Sequence, residues 1–570
     1  MIKINIKCYN FVLVAAVLFF ALMIPEVKAL TVGEAVNFNV DKNFDASARS
    51  QLSAVLVKTS PNLYFYIEKN WWEAQVPAKQ SELLLNLDKL SLEFDKKIYP
   101  TLTSVFGSEW KPGVDGDNKI TILFHSLKET AGGYFRSADE YLKLQIPDSN
   151  EKEMLYLPVA QIDSPQLKVF LAHEFVHLIT FNQKEKIWGV QEEVWLNEAR
   201  ADYSSTILEY DNSYEGSNLQ RRVRSFLEKP FDSLTEWQES KYDYAIANIF
   251  MHYLVDHYSI NVLSDSLQSK LVGIDSINEV LKKAGEKESF AQAFTNWTIA
   301  TLINDCSLKL KYCYLNKNLT NIRINPTLNF LPVSGSSSLS VTNVTKNWAG
   351  NWQKFIGGNG DLTLEFASLE GLSFKVPYII FSKDGSYSVE YLTLDQGEKG
   401  QLEIKGFGDA YISLIIIPSL QTKTSGFDGL ELTYPYTFMV SIAGEASSEE
   451  EALIQKLLAQ IESLKKQIAD IQNKNSGTSS TCSQLNNNLY VGVANRSEVI
   501  CLQNFLKSQG SSIYPEGLVT GNFGTLTKLA VMRFQEKYKE EILTTLGLSR
   551  GTGFVGLSTR AKINRLILGL

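Results

Sequence analysis

The chain has 570 residues, more than a single core organises, so several domains are expected. Hydrophobic content of 44% and charged content of 21% exclude a disordered or an all-membrane chain. A net charge of −8 with no long basic run excludes nucleic acid as an expected partner.

In chain order, Lys3 and Lys7 precede an apolar run over residues 11–24, and Val27-Lys28-Ala29 offers small residues where a signal peptidase cuts. Residues 1–29 therefore predict a signal peptide and an extracytoplasmic address. The run is shorter than the roughly 20 residues that cross a bilayer, so no stable membrane span is expected once it is removed. Cys8 lies before the run, which argues against a lipid anchor. Cys306, Cys313, Cys482 and Cys501 then remain, an even set. Locality pairs Cys306 with Cys313 and Cys482 with Cys501, among three formal connectivities. Seven helical steps span about 10 Å, beyond disulfide reach, so the chain must turn between Cys306 and Cys313.

Residues 30–329 read as mixed α/β. Strands are predicted at 120–124 and 154–157, with a turn at Gly132-Gly133. Asp115-Gly116-Asp117-Asn118 invites a calcium reading, but the rest of a twelve-residue loop is missing and a type I turn accounts for it better. Ser164-Pro165 signals a helix start, a capping serine before a proline at the first helical position.

That helix carries His173-Glu174-Phe175-Val176-His177. Residues four apart share a helical face, so His173 and His177 can aim two imidazole nitrogens at one zinc ion. Glu174 sits one step round, placed to hold a water without being a ligand. Glu198 and Asp202, again four apart, leave one carboxylate for the metal and one to orient a ligand histidine from behind. A surface helix with two solvated histidines is the bland alternative. With 5 His in the chain and a second motif at the right distance, it is the weaker account. A later helix, residues 244–258, is apolar on one side through Ile246, Ile249, Phe250, Tyr253 and Leu254. His125, on or beside a strand, reads as structural.

Residues 332–443 change to short β-rich runs separated by Gly, Asn, Asp and Pro, a β-sandwich with nothing catalytic in it. Over 445–474, Ile454, Leu457, Ile461, Leu464, Ile468 and Ile471 repeat at steps of three and four, a short coiled-coil spacer with dimerisation as a minority outcome. Residues 475–481 are a polar linker. Residues 482–570 read as a small α-helical domain, with turns at Thr520-Gly521-Asn522-Phe523-Gly524 and Gly553-Phe554-Val555-Gly556.

The pairing of HExxH with a later ExxxD resembles the gluzincin metallopeptidases. That resemblance implies an α+β zincin catalytic domain with His173, His177 and Glu198 on zinc, Glu174 as base and Asp202 behind the ligands. The segment from Tyr244 to Leu254 is similar to the gluzincin aminopeptidase segment whose first tyrosine stabilises the oxyanion, which implies that role for Tyr244. Tyr242 is the near competitor, and His252 or His257 could take the histidine role of thermolysin relatives. Asp115-Gly-Asp-Asn-Lys-Ile-Thr-Ile-Leu123, Gly132-Gly-Tyr-Phe135, Ser149-Asn150 with Met154-Leu-Tyr156, and the HExxH occur in the order seen in hyicolysin-type neutral metallopeptidases, which are secreted bacterial zinc endopeptidases. The runs 499–506, 520–535 and 553–566 resemble the peptidoglycan-binding domain of cell-wall hydrolases. The chain is thus expected to be a multidomain secreted endopeptidase with one catalytic Zn2+, a protein or peptide substrate, and a peptidoglycan tether. A peptidase of peptidoglycan cross-bridges, or a wall-binding scaffold with an inactive peptidase domain, are the alternatives.

Overall fold

The computed structural model describes residues 31–129, 131–333, 335–427, 429–443, 456, 460, 484–493, 495–515, 517–544 and 547–568. The expected signal peptide, the linker, Cys482 and all of the heptad spacer except Lys456 and Gln460 lie outside these residues. The chain divides into two compact units, 1–451 and 452–570. Among the described residues no helix is long and apolar enough to cross a membrane.

The first unit begins with a six-stranded sheet in the order β1-β2-β3-β4-β6-β5. Its strands are β1 Ala35–Asn39, β2 Gln51–Thr59, β3 Leu63–Glu68, β4 Ile120–His125, β5 Tyr134–Phe135 and β6 Met154–Pro158. β3, β4 and β6 are parallel, whereas β5 pairs antiparallel with β6 and forms an edge. Every residue of β4 and β6 is buried, because both faces of this sheet are covered. That is why these strands read as continuous apolar runs rather than alternating ones. Leu63, Phe65 and Ile67 feed one core, while Leu56, Tyr66 and Tyr156 feed another on the opposite face.

Among the described residues of this unit, nine α-helices of eight or more residues cover the sheet and extend beyond it: α1 Pro77–Glu93, α2 Tyr99–Phe106, α3 Leu167–Thr180, α4 Val194–Ile207, α5 Asn218–Glu228, α6 Lys241–Tyr258, α7 Asn261–Gln268, α8 Gly273–Lys283 and α9 Phe290–Ile303. α3 starts two residues later than Ser164-Pro165 predicts. The Ser164 hydroxyl accepts from Gln166 N at 3.2 Å and so caps a turn ahead of the helix. α6 starts three residues before Tyr244, where Ser240 and Asp243 form a reciprocal capping box. α9 ends on Asn304 in the left-handed conformation, which reverses the chain. Cys306 and Cys313 then meet in a disulfide with Cα atoms 5.0 Å apart. Cys501 is also disulfide-bonded.

Residues 327–443 form two leaves of β-strand. One runs Tyr387–Tyr391, Pro377–Ser382, Tyr411–Ile416, Gln353–Gly357, Thr327–Leu331; the other runs Lys399–Phe407, Gly360–Ser368, Tyr434–Ala443, Ser337–Thr345. They join where Phe407 pairs with Tyr411 and face each other across a shared core, with the Phe355 and Phe438 rings 5.3 Å apart. Two features depart from the sequence reading. The first strand begins at Thr327, inside the stretch assigned to the catalytic region, and stops before Pro332, which has no N–H to donate. The β region is also no detached accessory: Trp348 and Trp352 belong to the helical core. Trp348 packs 5.0 Å from the Phe290 ring, and Trp352 Nε1 donates to Thr298 O at 2.9 Å.

Buried charges lock α4 in place. Arg200 is fully buried and donates to Glu192 Oε2 at 2.7 Å, Ser266 Oγ at 2.8 Å and Leu263 O at 3.2 Å. Lys184, equally buried, donates to Ser266 O at 2.7 Å and Ser269 O at 2.8 Å, and lies 3.6 Å from the Glu192 carboxylate.

The second unit contains α10 Arg496–Ser508, α11 Thr525–Lys537 and α12 Leu557–Ile567 around Val499, Val531 and Ile563. It repeats internally. Gln503 donates to Asn522 O at 3.0 Å and Thr527 Oγ1 at 2.9 Å, and accepts from Gly521 N at 2.8 Å. Gln535 makes the same set to Phe554 O at 2.9 Å, Thr559 Oγ1 at 3.0 Å and Gly553 N at 2.9 Å. Gly521 and Gly553 both have positive φ, so the two loops share one tight conformation around one buried amide.

Removing Glu192 strands two buried cations behind α4. Glu192→Ala should destabilise the first unit by about 3–5 kcal/mol, read from its thermal or denaturant unfolding.

Candidate metal centre

α3 and α4 bring three donor groups together. His173 Nε2 lies 3.2 Å from Glu198 Oε2 and 3.2 Å from His177 Nε2, and His177 Nε2 lies 3.6 Å from Glu198 Oε1. A four-coordinate ion with nitrogen and oxygen donors at about 2.0–2.2 Å holds those donors roughly 3.3 Å apart, so the trio has the spacing of a zinc face. Among the described residues it is the one group of three or more metal-ligating side chains so clustered.

The electrostatics agree with the spacing. Burial opposes charge on His177, yet the Glu198 carboxylate outweighs it and raises the imidazole to about 9. Burial likewise works against the Glu198 carboxylate, and the two histidines more than reverse it, holding the group well below the usual carboxylate range. Two ring nitrogens and a carboxylate facing inward at these distances favour a positive charge between them, which a divalent cation provides.

The support around the trio differs from the sequence reading. Asp202 does not hydrogen-bond a ligand histidine. Arg222 takes both of its oxygens, Nη2 to Oδ1 at 2.7 Å and Nε to Oδ2 at 2.9 Å, and Asn218 Nδ2 adds a bond at 3.0 Å. Asn197 orients a histidine of the trio instead: its Oδ1 lies 3.0 Å from His177 Nδ1, which turns Nε2 toward His173 and Glu198. Asn197 adjoins Glu198 and so leaves toward the α3 side of the same helix turn. The ExxxD spacing does not point to it.

The trio opens into a cleft of about 1070 Å3, lined among others by Gly133, Phe135, Glu174, Arg222 and Tyr244. Glu174 is buried in its wall, and burial raises its carboxyl pKa against the pull of both histidines. Gly133 lets the chain entering edge strand β5 pass directly over it. A Cβ there would stand 2.9 Å from Glu174 Oε1 and 3.0 Å from the Tyr156 carbonyl.

Tyr244 is half-buried in the cleft, its ring 6.4 Å from that of His173 and 4.8 Å from Trp237, with the Arg222 guanidinium 4.8 Å above it. Burial, then the Glu198 and Glu174 carboxylates, raise its phenol well above the usual range, so it remains a hydrogen-bond donor. The competitors lie elsewhere. Tyr242 packs under Lys229 and Lys241. His252 is buried between Thr206 and Asn316, and His257 donates to Cys313 O at 2.8 Å. His125 is fully enclosed by Asp45 and Tyr134, and burial lowers it to about 4 despite Asp45. In the Asp115–Asn118 stretch, Asp115 and Asp117 accept from Asp117 N and Lys119 N, the bonds of a turn.

A family model described as "Putative peptidoglycan binding domain" matches residues 495–563. The chain therefore carries a peptidoglycan-binding domain at its C-terminal end, which supports association with the cell wall. Among curated proteins none matches the chain. Solved structures similar to parts of it include the Yersinia pseudotuberculosis-derived mitogen, at 9% identity and TM-score 0.15 over 20% of this chain and 92% of that one. Another is the Aeromonas hydrophila periplasmic inhibitor of g-type lysozyme, at 11%, 0.15, 21% and 99%. The pre-peptidase C-terminal domain of a Bacillus anthracis collagenase is a third, at 7%, 0.13, 20% and 96%. These TM-scores are too low to bear on fold or function.

Gly133→Ala should destabilise the first unit by about 1–3 kcal/mol, measured by thermal unfolding, because the Tyr156 carbonyl is backbone and cannot swing aside.

Proposed function

We propose that this protein is a secreted zinc-dependent endopeptidase held at the cell wall by its C-terminal domain. The observation that carries the reading is the convergence of His173, His177 and Glu198 in one cleft with the buried carboxyl of Glu174. Resemblance to hyicolysin-type metallopeptidases supports it, and so does the chemistry of the donor set. Zinc, when bound there, supplies Lewis acidity toward a peptide carbonyl and lowers the pKa of water toward about 7.

The chain's own residues do the remaining work. Asn197 holds the His177 ring so that Nε2 faces the metal position. Glu174 takes one proton from the attacking water on its carboxylate and delivers it to the departing amine nitrogen as the C–N bond breaks. Burial raises its carboxyl pKa, which favours taking up the proton. Tyr244 donates its hydroxyl to the carbonyl oxygen as that atom gains negative charge. Arg222, pinned by Asp202 and lying over the Tyr244 ring, fixes that donor's position. β5, the sheet edge beside Glu174, offers unpaired backbone to an extended peptide. The peptidoglycan-binding domain also favours a second reading, in which the substrate is a peptide cross-bridge of the wall rather than a soluble protein. Digesting casein and purified sacculi with one preparation separates the two.

Purified protein should carry one zinc by elemental analysis, and His177→Ala should lose it; absence of stoichiometric zinc would refute the reading. Glu174→Gln should keep the metal and fold while hydrolysis drops about 10²–10⁴-fold, because an amide accepts no proton. Tyr244→Phe should lower kcat about 10²–10³-fold with little change in KM, and full activity would remove Tyr244 from the mechanism.

Shortening the chain tests the tether. A form ending after Ala443 retains every metal-centre residue and both β leaves. It should still cleave soluble protein yet no longer sediment with peptidoglycan.

A further inference from the structure

In the second unit the polar loops close on each other. Leu489 N donates to Val555 O at 3.3 Å and Val555 N to Leu489 O at 2.9 Å, zipping the lead-in of α10 to the loop before α12. At this seam Tyr490 and Phe554 turn outward, 50% and 43% exposed, with rings stacked 6.1 Å apart at 24°. Val491 and Leu557 extend the apolar surface, 51% and 77% exposed. Arg560 Nη1 donates to Asn488 Oδ1 beside the rings. Among the described residues no carboxylate pairs with Arg560, whereas Arg565 on the same helix is neutralised by Glu541 at 2.7 Å.

Packing does not require these aromatics. The internal repeat supplies the comparison: the buried positions Val499, Val531 and Ile563 are apolar in every helix. The place of Phe554, whose carbonyl accepts from Gln535, is taken in the other loop by Asn522, whose carbonyl accepts from Gln503 in the same way. The loop thus keeps the same hydrogen bonds with a polar residue there. Two large rings left half-exposed to water cost hydration free energy that a polar residue would not.

We infer that the Tyr490–Phe554 platform, flanked by Asn488 and Arg560, is where the C-terminal domain holds a peptidoglycan strand. The inference rests on the wall-tether reading and deepens it. The apolar face of a pyranose ring covers the aromatic faces, leaving its hydroxyl and acetamido edges to water and to the Asn488 amide. Arg560, with the N–H groups it does not give to Asn488, takes a stem-peptide carboxylate in a charge-assisted pair. The partner is a polymer that presents sugar rings and carboxylates together.

The test uses the full chain and purified sacculi in a sedimentation assay. Wild type should bind, and Tyr490→Ala with Phe554→Ala should bind roughly tenfold more weakly, the loss typical of anchor residues. Arg560→Gln should weaken binding to intact sacculi but not to glycan strands stripped of stem peptides. Asn522→Ala, at the equivalent point of the other loop, should bind like wild type. Wild-type binding with an unimpaired double variant overturns the platform and leaves the tether standing. An equal loss in Asn522→Ala also overturns it, since any loop change would then suffice. A wild type that does not bind overturns the tether reading and the platform with it.

Discussion

The first unit depends on one constraint: polar chemistry has to be buried where α3 meets α4. α3 is enclosed on nearly every side, so His177 and Glu174 leave water together with Phe175, Leu178 and Ile179. A buried polar group left without a partner costs about 1–3 kcal/mol, and more if it is charged. The helix pair meets that cost with geometry. His173, His177 and Glu198 face one another, and Asn197 occupies the remaining nitrogen of His177. The same arrangement that satisfies the core also presents to a cleft three groups that could hold a metal.

Charges on two other sides of α4 keep that face aimed. Behind it Arg200 and Lys184 share Glu192, and in front Asp202 is clamped by Arg222 from α5. Such pairs add little net stability over apolar packing, but breaking one is costly, so they act mainly on register. A slip of one residue along α4 would turn Glu198 away and bury a lone carboxylate. The Arg222 guanidinium also lies against the Tyr244 ring, which couples the register of α4 to the position of a donor on α6.

What could be read from the sequence was whatever depends on local spacing. The four-residue steps of His173 and His177 and of Glu198 and Asp202, and the enforced turn between Cys306 and Cys313, all follow from helix geometry, whereas the choice of Glu198 over Asp202 rests on the gluzincin resemblance. The buried strands at 120–124 and 154–157 were legible as unbroken apolar runs. The partners of Asp202 were not, because Arg222 and Asn218 reach it only through the packing of α5 on α4. Asn197 was hidden for a similar reason: nothing in its own neighbourhood says which ring nitrogen it will meet. Ser164 misled by offering a good cap to a turn that precedes the helix. Trp348 and Trp352 look like sandwich core in a β-rich stretch, and only the tertiary structure shows them filling the core around α9. The period linking Gln503 with Gln535 stands in the sequence, yet reading its glycine loops simply as turns does not use it.

That shared tryptophan core bears on how the protein can be divided. Residues 332–443 read as an accessory β-sandwich, but Trp352 donates into α9 and Ile379, Ile415, Ile417 and Phe427 complete the same cluster. Deleting the β leaves would expose the α9 aromatics Phe290, Phe294 and Trp297, which support α6 through Phe250. α6 carries Tyr244. The β leaves therefore contribute to the cleft without lining its metal face: they hold the far side of the helix that presents the proposed oxyanion donor. The separable boundary lies after Ala443, where both the strand order and the first unit's core are complete.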